Sequence, residues 1–176
     1  MPGPGFSEAQ SPFDAELALV SATLPEADWV GPGSIAMLLG GERLLGRVPA
    51  TPFEVHDLLA SGIPGVALQH LVDGVALLGE STALPAALGM SLRTFQRYKK
   101  APENRLDPDQ SSRAWVFATV LAKAVAVFGS QAEAERWLDR PATGLDRRRP
   151  LELLGTAVGC GVVQEFLGRL EFGAYT

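Results

Sequence analysis

The stretch SLRTFQRYKK, residues 91–100, carries four positive charges and no acid. It follows TALPAALGM, residues 82–90, in which Gly89 comes directly after a short apolar run. A glycine at this place permits the left-handed backbone of a sharp turn between two helices. The two segments therefore predict a helix-turn-helix, in which Ser81 or Thr82 caps the first helix and Ser91 caps the second.

Helical spacing separates the side chains of this motif into two faces. Leu84 and Leu88 are expected to face inward before the turn, Met90 to fill the turn, and Phe95 and Tyr98 to form the buried side of the second helix. Arginine and glutamine can read base edges, while serine, threonine and lysine suit phosphates. The outer face therefore predicts DNA contacts, with a merely solvated basic face as the alternative. The candidate DNA-binding residues are Ser91, Arg93, Thr94, Gln96, Arg97, Lys99 and Lys100.

The distribution of charge along the chain distinguishes its two halves. The 176 residues carry a net charge of −5, which argues against indiscriminate binding to polyanions. Residues 1–80 hold ten acids and two bases, whereas residues 81–176 hold ten acids and thirteen bases. Any DNA contact therefore belongs to the second half, with the acidic half turned away from the DNA.

Helix signals continue on both sides of the motif, and sustained strand-like alternation is missing from the sequence. We predict an all-α fold: a flexible or partly ordered arm over 1–47, a helix-turn-helix domain over 48–106 and a small helical domain over 107–176. The apolar segment after Asp107 is interpreted as a core helix, too short and too polar at its ends to cross a membrane. Its aromatic residues are assigned to the core with those of the next helix: Trp115, Phe117, Phe128 and Trp137. The remaining helices are predicted at 34–39, at 51–61 with a Thr51 capping box, from Pro64 to Gly79, at 130–139, at about 149–155 and at about 159–172.

An enzymatic function is not expected from this sequence. His56 and His70 lack the spacing and partners of a metal site, so we predict neither metal nor cofactor. Cys160 lies between two glycines that follow no predicted strand, which indicates a packing thiol rather than a dinucleotide loop. Because Cys160 is a single cysteine and the first residues do not resemble a secretory signal, a cytoplasmic location is expected.

Two groups of residues near the C-terminal end could contact another protein. Phe172 and Tyr175 flank Gly173 just beyond a predicted helix, where aromatic side chains make good interface anchors. The alternative is that both rings fold back onto the core. Residues 147–149 are three arginines at a helix start, an unfavourable place for positive charge. They could bind a carboxylate on a partner or form structural salt bridges.

The order of residues over 135–176 resembles the toxin-binding domain of the Xre/MbcA/ParS-type antitoxins, the partners of RES-domain toxins. The resemblance is carried by Trp137-Leu138, Pro141 and Leu145, then by RRPLELL at 148–154, Thr156 and Gly159, and by a glycine-aromatic tail. It includes the helix-turn-helix and the long helix that follows, so that it covers residues 81–176; it is weak over 48–80 and absent before residue 48.

The resemblance implies an antitoxin of a type II toxin-antitoxin system. Such a protein would bind the promoter of its own operon through the helix-turn-helix. Its C-terminal helices would cover the NAD site of a toxin that degrades NAD or transfers ADP-ribose, and it would act as a homodimer within a larger complex. The alternative is a stand-alone transcriptional regulator whose C-terminal part only dimerises. The residues implied in toxin binding are Arg148, Arg149, Arg169, Glu171, Phe172, Tyr175 and Thr176.

Overall fold

The structure is a computed structural model, and it describes residues 30–80 and 82–173. Within these ranges the chain is helical and contains no strand, which confirms the all-α prediction. Pro64 with Arg105 and Ala142 with Arg148 form isolated bridges between extended segments. The expectations for residues 1–29, for Ser81 and for Tyr175 and Thr176 concern positions outside the described residues.

Ten α-helices follow one another in these ranges, with two short 3₁₀ turns between them. The first six are α1 Pro32–Leu38, α2 Gly41–Leu45, α3 Pro52–Ser61, α4 Gly65–Gly74, α5 Ala83–Leu88 and α6 Leu92–Lys100. The remaining four are α7 Pro108–Phe128, α8 Gln131–Leu138, α9 Pro150–Leu153 and α10 Ala157–Glu171. The 3₁₀ turns are Ala76–Gly79 and Thr143–Leu145.

The starts of α3, α6 and α7 lie where the capping residues predict them, whereas Thr82 forms no side-chain capping bond at the start of α5. The Thr51 side chain accepts a hydrogen bond from the Glu54 N–H, and the Glu54 carboxylate accepts one from the Thr51 N–H, which completes the capping box. Asp107 Oδ1 accepts from the Gln110 N–H at 2.8 Å, with Pro108 as the first helical residue. These starts are predictable because each cap depends on residues only three positions apart.

The predicted helix from Pro64 to Gly79 is wrong, because α4 ends at Gly74. Val75 is extended, and a 3₁₀ turn replaces the last helical turn. The physical reason is that α8 binds the backbone groups which a continuous helix would pair. The Glu135 carboxylate accepts from the Leu77 N–H at 2.8 Å, and the Gln131 amide donates to the Gly74 carbonyl at 2.6 Å.

The centre of the fold is α7, which packs against α1, α3, α5, α8 and α10. Phe117, Ala118 and Leu121 on this helix are completely buried, as a core helix requires. The expectation that it is too short for a membrane was wrong, since its 21 residues are long and apolar enough by length and composition alone. Because five other helices cover it, the structure gives it the role of core helix.

Part of the predicted arm belongs to the core. Ile35, Ala36 and Leu39 are buried where α1 packs against α4 and α7. The predicted helix at 34–39 is therefore present, although it begins at Pro32. The predicted boundaries at 47 and 106 remain predictions. Helices from all three predicted ranges contact α7, so these boundaries do not separate independent cores in the described residues.

Candidate functional site

The turn between α5 and α6 has the backbone of a helix-turn-helix. Gly89 adopts φ +60°, in the left-handed region, and its N–H donates to the Pro85 carbonyl at 2.9 Å. Leu84 and Leu88 are buried before the turn, and Met90 is buried within it. A side chain at Gly89 would also meet the Arg113 guanidinium of α7, with a Cβ 2.7 Å from Nη1. The glycine is therefore needed both for the conformation and for the close approach of α7.

Three side-chain and backbone contacts orient α6. Phe95 and Tyr98 are buried on one side of the helix, as their spacing predicts. The Tyr98 hydroxyl donates to Gln110 Oε1 at 2.7 Å, which ties α6 to the start of α7. The Gln69 amide donates to the Tyr98 carbonyl at 2.8 Å, which ties the end of α6 to α4. These contacts fix which face of α6 turns outward.

The outward face presents the predicted basic residues to solvent. Arg93, Gln96 and Arg97 are exposed, as are Lys99 and Lys100. Among the salt bridges of the described residues, no carboxylate pairs with a base of α6. The face therefore has the charge needed for phosphates and the arginine and glutamine side chains needed for base edges.

Ser91 and Thr94 differ from the other candidates on α6. The Ser91 hydroxyl accepts from the Thr94 N–H at 3.1 Å and lies 2.9 Å from the Thr94 hydroxyl. Both side chains are thus engaged in capping the helix. Their role in the described structure is to place the first turn of α6, from which the basic side chains project.

A buried polar contact joins the C-terminal helices to the segment just before this motif. Glu135 of α8 is a buried carboxylate whose Oε2 accepts from the Leu77 N–H before α5. Its Oε1 accepts from the Gln131 amide at 2.7 Å, and that amide also donates to the Gly74 carbonyl. Because α9 also packs on α5, the C-terminal helices contact both the first helix of the motif and the 3₁₀ turn before it.

The three arginines at the start of α9 have different environments. Arg149 is half-buried and forms a salt bridge with Asp139, and its Nε donates to the Asp139 carbonyl at 3.0 Å. A second carboxylate, on Glu152, lies 3.5 Å from Arg149 Nη1. Of the two alternatives, Arg149 therefore shows the structural salt bridge. Arg147 and Arg148 are exposed, and Arg147 has a φ of +58°.

The end of α10 presents the other predicted toxin-binding residues. Arg169, Glu171 and Phe172 are all exposed, and the Phe172 side chain is 64% accessible. For Phe172 the structure therefore contradicts the alternative in which the ring folds back onto the core. Tyr175 and Thr176 lie beyond the last described residue.

Sequence reasoning missed two exposed valines on the same helix. Val158 is 80% exposed and Val162 is 42% exposed, one helical turn apart near the start of α10. Their spacing was visible in the sequence, but a valine pair at this spacing is more often part of a core. Only the packing of Val163, Phe166 and Leu167 against the rest of the protein shows which side of α10 is free.

The two histidines and the Gly159-Cys160-Gly161 sequence are the residues that the sequence analysis considered for a metal site or a dinucleotide loop. His56 and His70 are exposed, and the described residues contain no group of three His, Cys, Asp or Glu side chains that could hold a metal ion. Cys160 Sγ lies 3.3 Å from the Leu154 carbonyl, and burial raises the pKa of its thiol. Gly159 is buried where α10 begins, and a side chain there would collide with the Leu153 carbonyl. Gly159 and Cys160 thus serve helix packing, while Gly161 is exposed.

Two family models match the chain in separate, successive segments. Residues 54–118 match the antitoxin Xre-like helix-turn-helix domain, which includes α5, the Gly89 turn and α6. Residues 123–173 match the antitoxin Xre/MbcA/ParS C-terminal toxin-binding domain, which includes α8, α9 and α10. The order of the two matches is the order expected from the sequence.

Three curated relatives of this chain are each named Antitoxin Xre. The chain is 34% identical over 91 residues to Antitoxin Xre of Yersinia enterocolitica, a match that covers 51% of this chain and 61% of the relative. It is 29% identical over 124 residues to Antitoxin Xre of Pseudomonas putida, covering 70% and 75% of the two chains. It is 27% identical over 132 residues to Antitoxin Xre of Photorhabdus laumondii, covering 74% and 87%. With its helix-turn-helix and its C-terminal toxin-binding domain in this order, the chain belongs to the Xre/MbcA/ParS family of antitoxins.

Proposed function

We propose that this protein is the antitoxin of a type II toxin-antitoxin system whose toxin has a RES domain. The observation that carries the proposal is the exposed end of α10 within the segment that matches a toxin-binding domain. Arg169, Glu171 and Phe172 combine both charges with a large exposed ring, a combination suited to a protein interface. Because Arg148 is exposed and Arg149 is bound to Asp139, Arg148 is the arginine of that pair that contacts the toxin.

In this proposal the antitoxin is not an enzyme and acts by occlusion. Its C-terminal residues, including Tyr175 and Thr176, cover the NAD site of a toxin that degrades NAD or transfers ADP-ribose. Neutralisation then needs contact area and shape rather than catalytic groups. The setting is the cytoplasm, where the toxin's substrate and the operon are both present.

The test of occlusion is a variant that lacks residues 171–176. Co-expressed with the product of the neighbouring gene, the complete chain is expected to co-purify with the toxin and to protect the cells. The truncated chain is expected to fold, since Phe172 and Gly173 are exposed, but to leave the cells unprotected. Continued protection by a folded truncated chain would contradict occlusion by this end.

We further propose that α6 binds the promoter of the antitoxin's own operon. The exposed bases of α6 support this role, as does the match of residues 54–118 to an antitoxin helix-turn-helix. Replacing Arg93 and Arg97 with alanine is expected to weaken promoter binding by about 1–3 kcal/mol per lost base contact. Gel-shift titration at several salt concentrations measures both the affinity and its salt dependence. Unchanged affinity in the double variant, or a flat response to salt, would exclude α6 as the DNA reader.

The second candidate is a stand-alone transcriptional regulator whose C-terminal helices serve only assembly. The features of α6 fit both candidates equally. The two differ in the neighbouring gene, which encodes a RES-domain protein only in the first case. A pull-down of that gene product by the complete chain distinguishes them directly.

A further inference from the structure

Leu92 is an exposed apolar residue on a helix face that is otherwise polar. It is the first residue of α6, and its side chain is 55% accessible. Of the large apolar side chains that are exposed in the described residues, it is the one that lies in the helix-turn-helix. The buried side of α6 is formed by Phe95 and Tyr98, so the core does not account for a leucine at this position.

The start of α6 holds Leu92 in a fixed place beside two candidate base-reading residues. The Ser91 hydroxyl accepts from the Thr94 N–H at 3.1 Å, which fixes the first turn of the helix. Leu92 and Gln96 are four residues apart, so they lie about 40° apart around the helix axis, and both line one surface groove. Arg93 lies about 60° beyond Gln96. The three side chains therefore occupy one arc of about 100° on the first two turns of α6.

The chemistry of Leu92 restricts which part of DNA it can contact. Its side chain has no hydrogen-bond donor or acceptor, so it binds neither phosphate oxygens nor the polar edges of bases. The groove that it lines also includes Asp73 and Glu80, two exposed acids, which disfavour a phosphate on this side of α6. In the major groove of DNA the apolar group is the C5-methyl of thymine. A thymine methyl is therefore the group that Leu92 fits.

We propose that Leu92 contacts the C5-methyl group of a thymine in the major groove and thereby contributes to the sequence specificity of α6. This role of Leu92 rests on the proposed binding of α6 to the promoter. In a helix-turn-helix the N-terminal residues of the second helix contact base edges, and Leu92 is the first of these residues in α6. Leu92 and Gln96 are about 6 Å apart along the helix axis, roughly two base-pair steps. The thymine accordingly lies within about two base pairs of the base that Gln96 contacts.

The experiment compares promoter DNA that contains thymine with the same DNA that contains deoxyuridine. Deoxyuridine keeps the O4 acceptor of thymine and lacks only its methyl group. The duplex is the region upstream of the antitoxin's own gene, and fluorescence anisotropy measures its dissociation constant for the complete chain and for Leu92→Ala. The complete chain is expected to bind thymine DNA more tightly than deoxyuridine DNA. Leu92→Ala should reduce this thymine-to-uracil ratio by about fourfold for each methyl group that Leu92 contacts.

Single replacements locate the contact on the DNA. Duplexes in which one thymine at a time is replaced by deoxyuridine identify the positions at which the complete chain loses affinity. The thymine that Leu92 contacts is the position at which Leu92→Ala shows no further loss.

Three further variants separate recognition of the methyl group from other effects. Arg93→Ala is expected to weaken binding to both DNAs by the same factor, because arginine contacts guanine or phosphate rather than the methyl group. Met37→Ala removes an exposed apolar side chain of α1, outside the helix-turn-helix, and should change neither affinity. Leu92→Gln keeps the helix propensity but not the apolar character, so it is expected to reduce the ratio as Leu92→Ala does. Circular dichroism of each variant shows that it is folded.

The proposal is overturned if Leu92→Ala and Leu92→Gln leave the thymine-to-uracil ratio unchanged, whether they weaken binding to both DNAs equally or to neither. A complete chain that binds neither DNA at low salt would overturn the proposed promoter binding as well. Promoter binding that persists with an unchanged ratio in the variants would contradict the role of Leu92 alone.

Discussion

Glu135 is the residue whose replacement tests most directly how the two matched segments are joined. Its carboxylate lies on α8 and accepts two hydrogen bonds, at 2.8 Å from the Leu77 N–H and at 2.7 Å from the Gln131 amide. Leu77 lies in the 3₁₀ turn Ala76–Gly79, just before the first helix of the helix-turn-helix. Replacing Glu135 with alanine therefore leaves the buried N–H of Leu77 without its acceptor.

The magnitude follows from the two bonds and their burial. A hydrogen bond to a charged group contributes about 1.5–3 kcal/mol, and an unsatisfied buried donor costs about 1–3 kcal/mol. The lost bond and the unsatisfied donor describe partly the same free energy, so the two values are not added in full. Glu135→Ala is therefore expected to lower the free energy of unfolding by about 2–4 kcal/mol. In Glu135→Gln the amide oxygen can still accept from Leu77, while its NH₂ group meets the Gln131 amide. We expect a loss of about 0.5–1.5 kcal/mol for this variant.

The assay is equilibrium unfolding in urea, followed by circular dichroism, at neutral pH. Glu133→Ala is the matched control, because Glu133 is an exposed glutamate on the same helix that pairs with Arg136. Its loss should cost no more than about 0.5–1 kcal/mol. The alanine variant at 135 should also melt roughly 5–15 °C lower than the original chain. If Glu135→Ala costs no more than the control, the buried contact does not stabilise the junction and the reasoning fails.

Three further outcomes follow from other sites. Gly89→Ala should lower the free energy of unfolding by about 1–3 kcal/mol, because the positive φ is unfavourable for alanine and the new Cβ meets Arg113. In a chain that already carries Arg113→Ala, the same substitution should cost only about 1 kcal/mol, since only the unfavourable φ remains. Equal costs with and without Arg113→Ala, measured by urea titration, would exclude the contact with Arg113. The N–H groups of Ala50 and Thr51 lower the pKa of Glu54 from its usual 4.5, so this carboxylate stabilises the fold above pH 4.5 and the stabilisation is lost as the pH falls through the lowered pKa. Acid titration should therefore destabilise the original chain more than Glu54→Gln, and parallel curves would contradict this assignment. Burial raises the pKa of Cys160 from its usual 9.0. A thiol reagent at about pH 8 should therefore react more slowly with the folded chain than with the unfolded chain. Equal reaction rates would show that the thiol is accessible.

The parts of the fold that the sequence predicts well depend on neighbours a few residues apart. Thr51, Ser91 and Asp107 each cap a helix through the backbone three residues later, so the local sequence contains the whole signal. The turn at Gly89 is predicted for the same reason, since a left-handed residue between two apolar helices favours glycine. The basic face of α6 follows from these two features together.

The features that escaped prediction depend on distant residues. The end of α4 at Gly74 is caused by Gln131 and Glu135, which are more than fifty positions away in the sequence. The structural role of Arg149 depends on Asp139 across a loop whose geometry the sequence does not reveal. The exposed valines of α10 could not be distinguished from core valines, because exposure depends on which side of the helix the rest of the protein covers.

The sharing of α7 limits how this antitoxin can be altered by recombination. The helix begins within one matched segment and ends within the other, and both sets of helices bury apolar surface on it. A chimera that joins the DNA-binding half of one relative to the toxin-binding half of another must therefore match two halves of a single core. We expect specificity for promoter or toxin to transfer instead by grafting surface residues of α6 or α10 onto an unchanged interior. The unit of exchange is then the helix face rather than the domain.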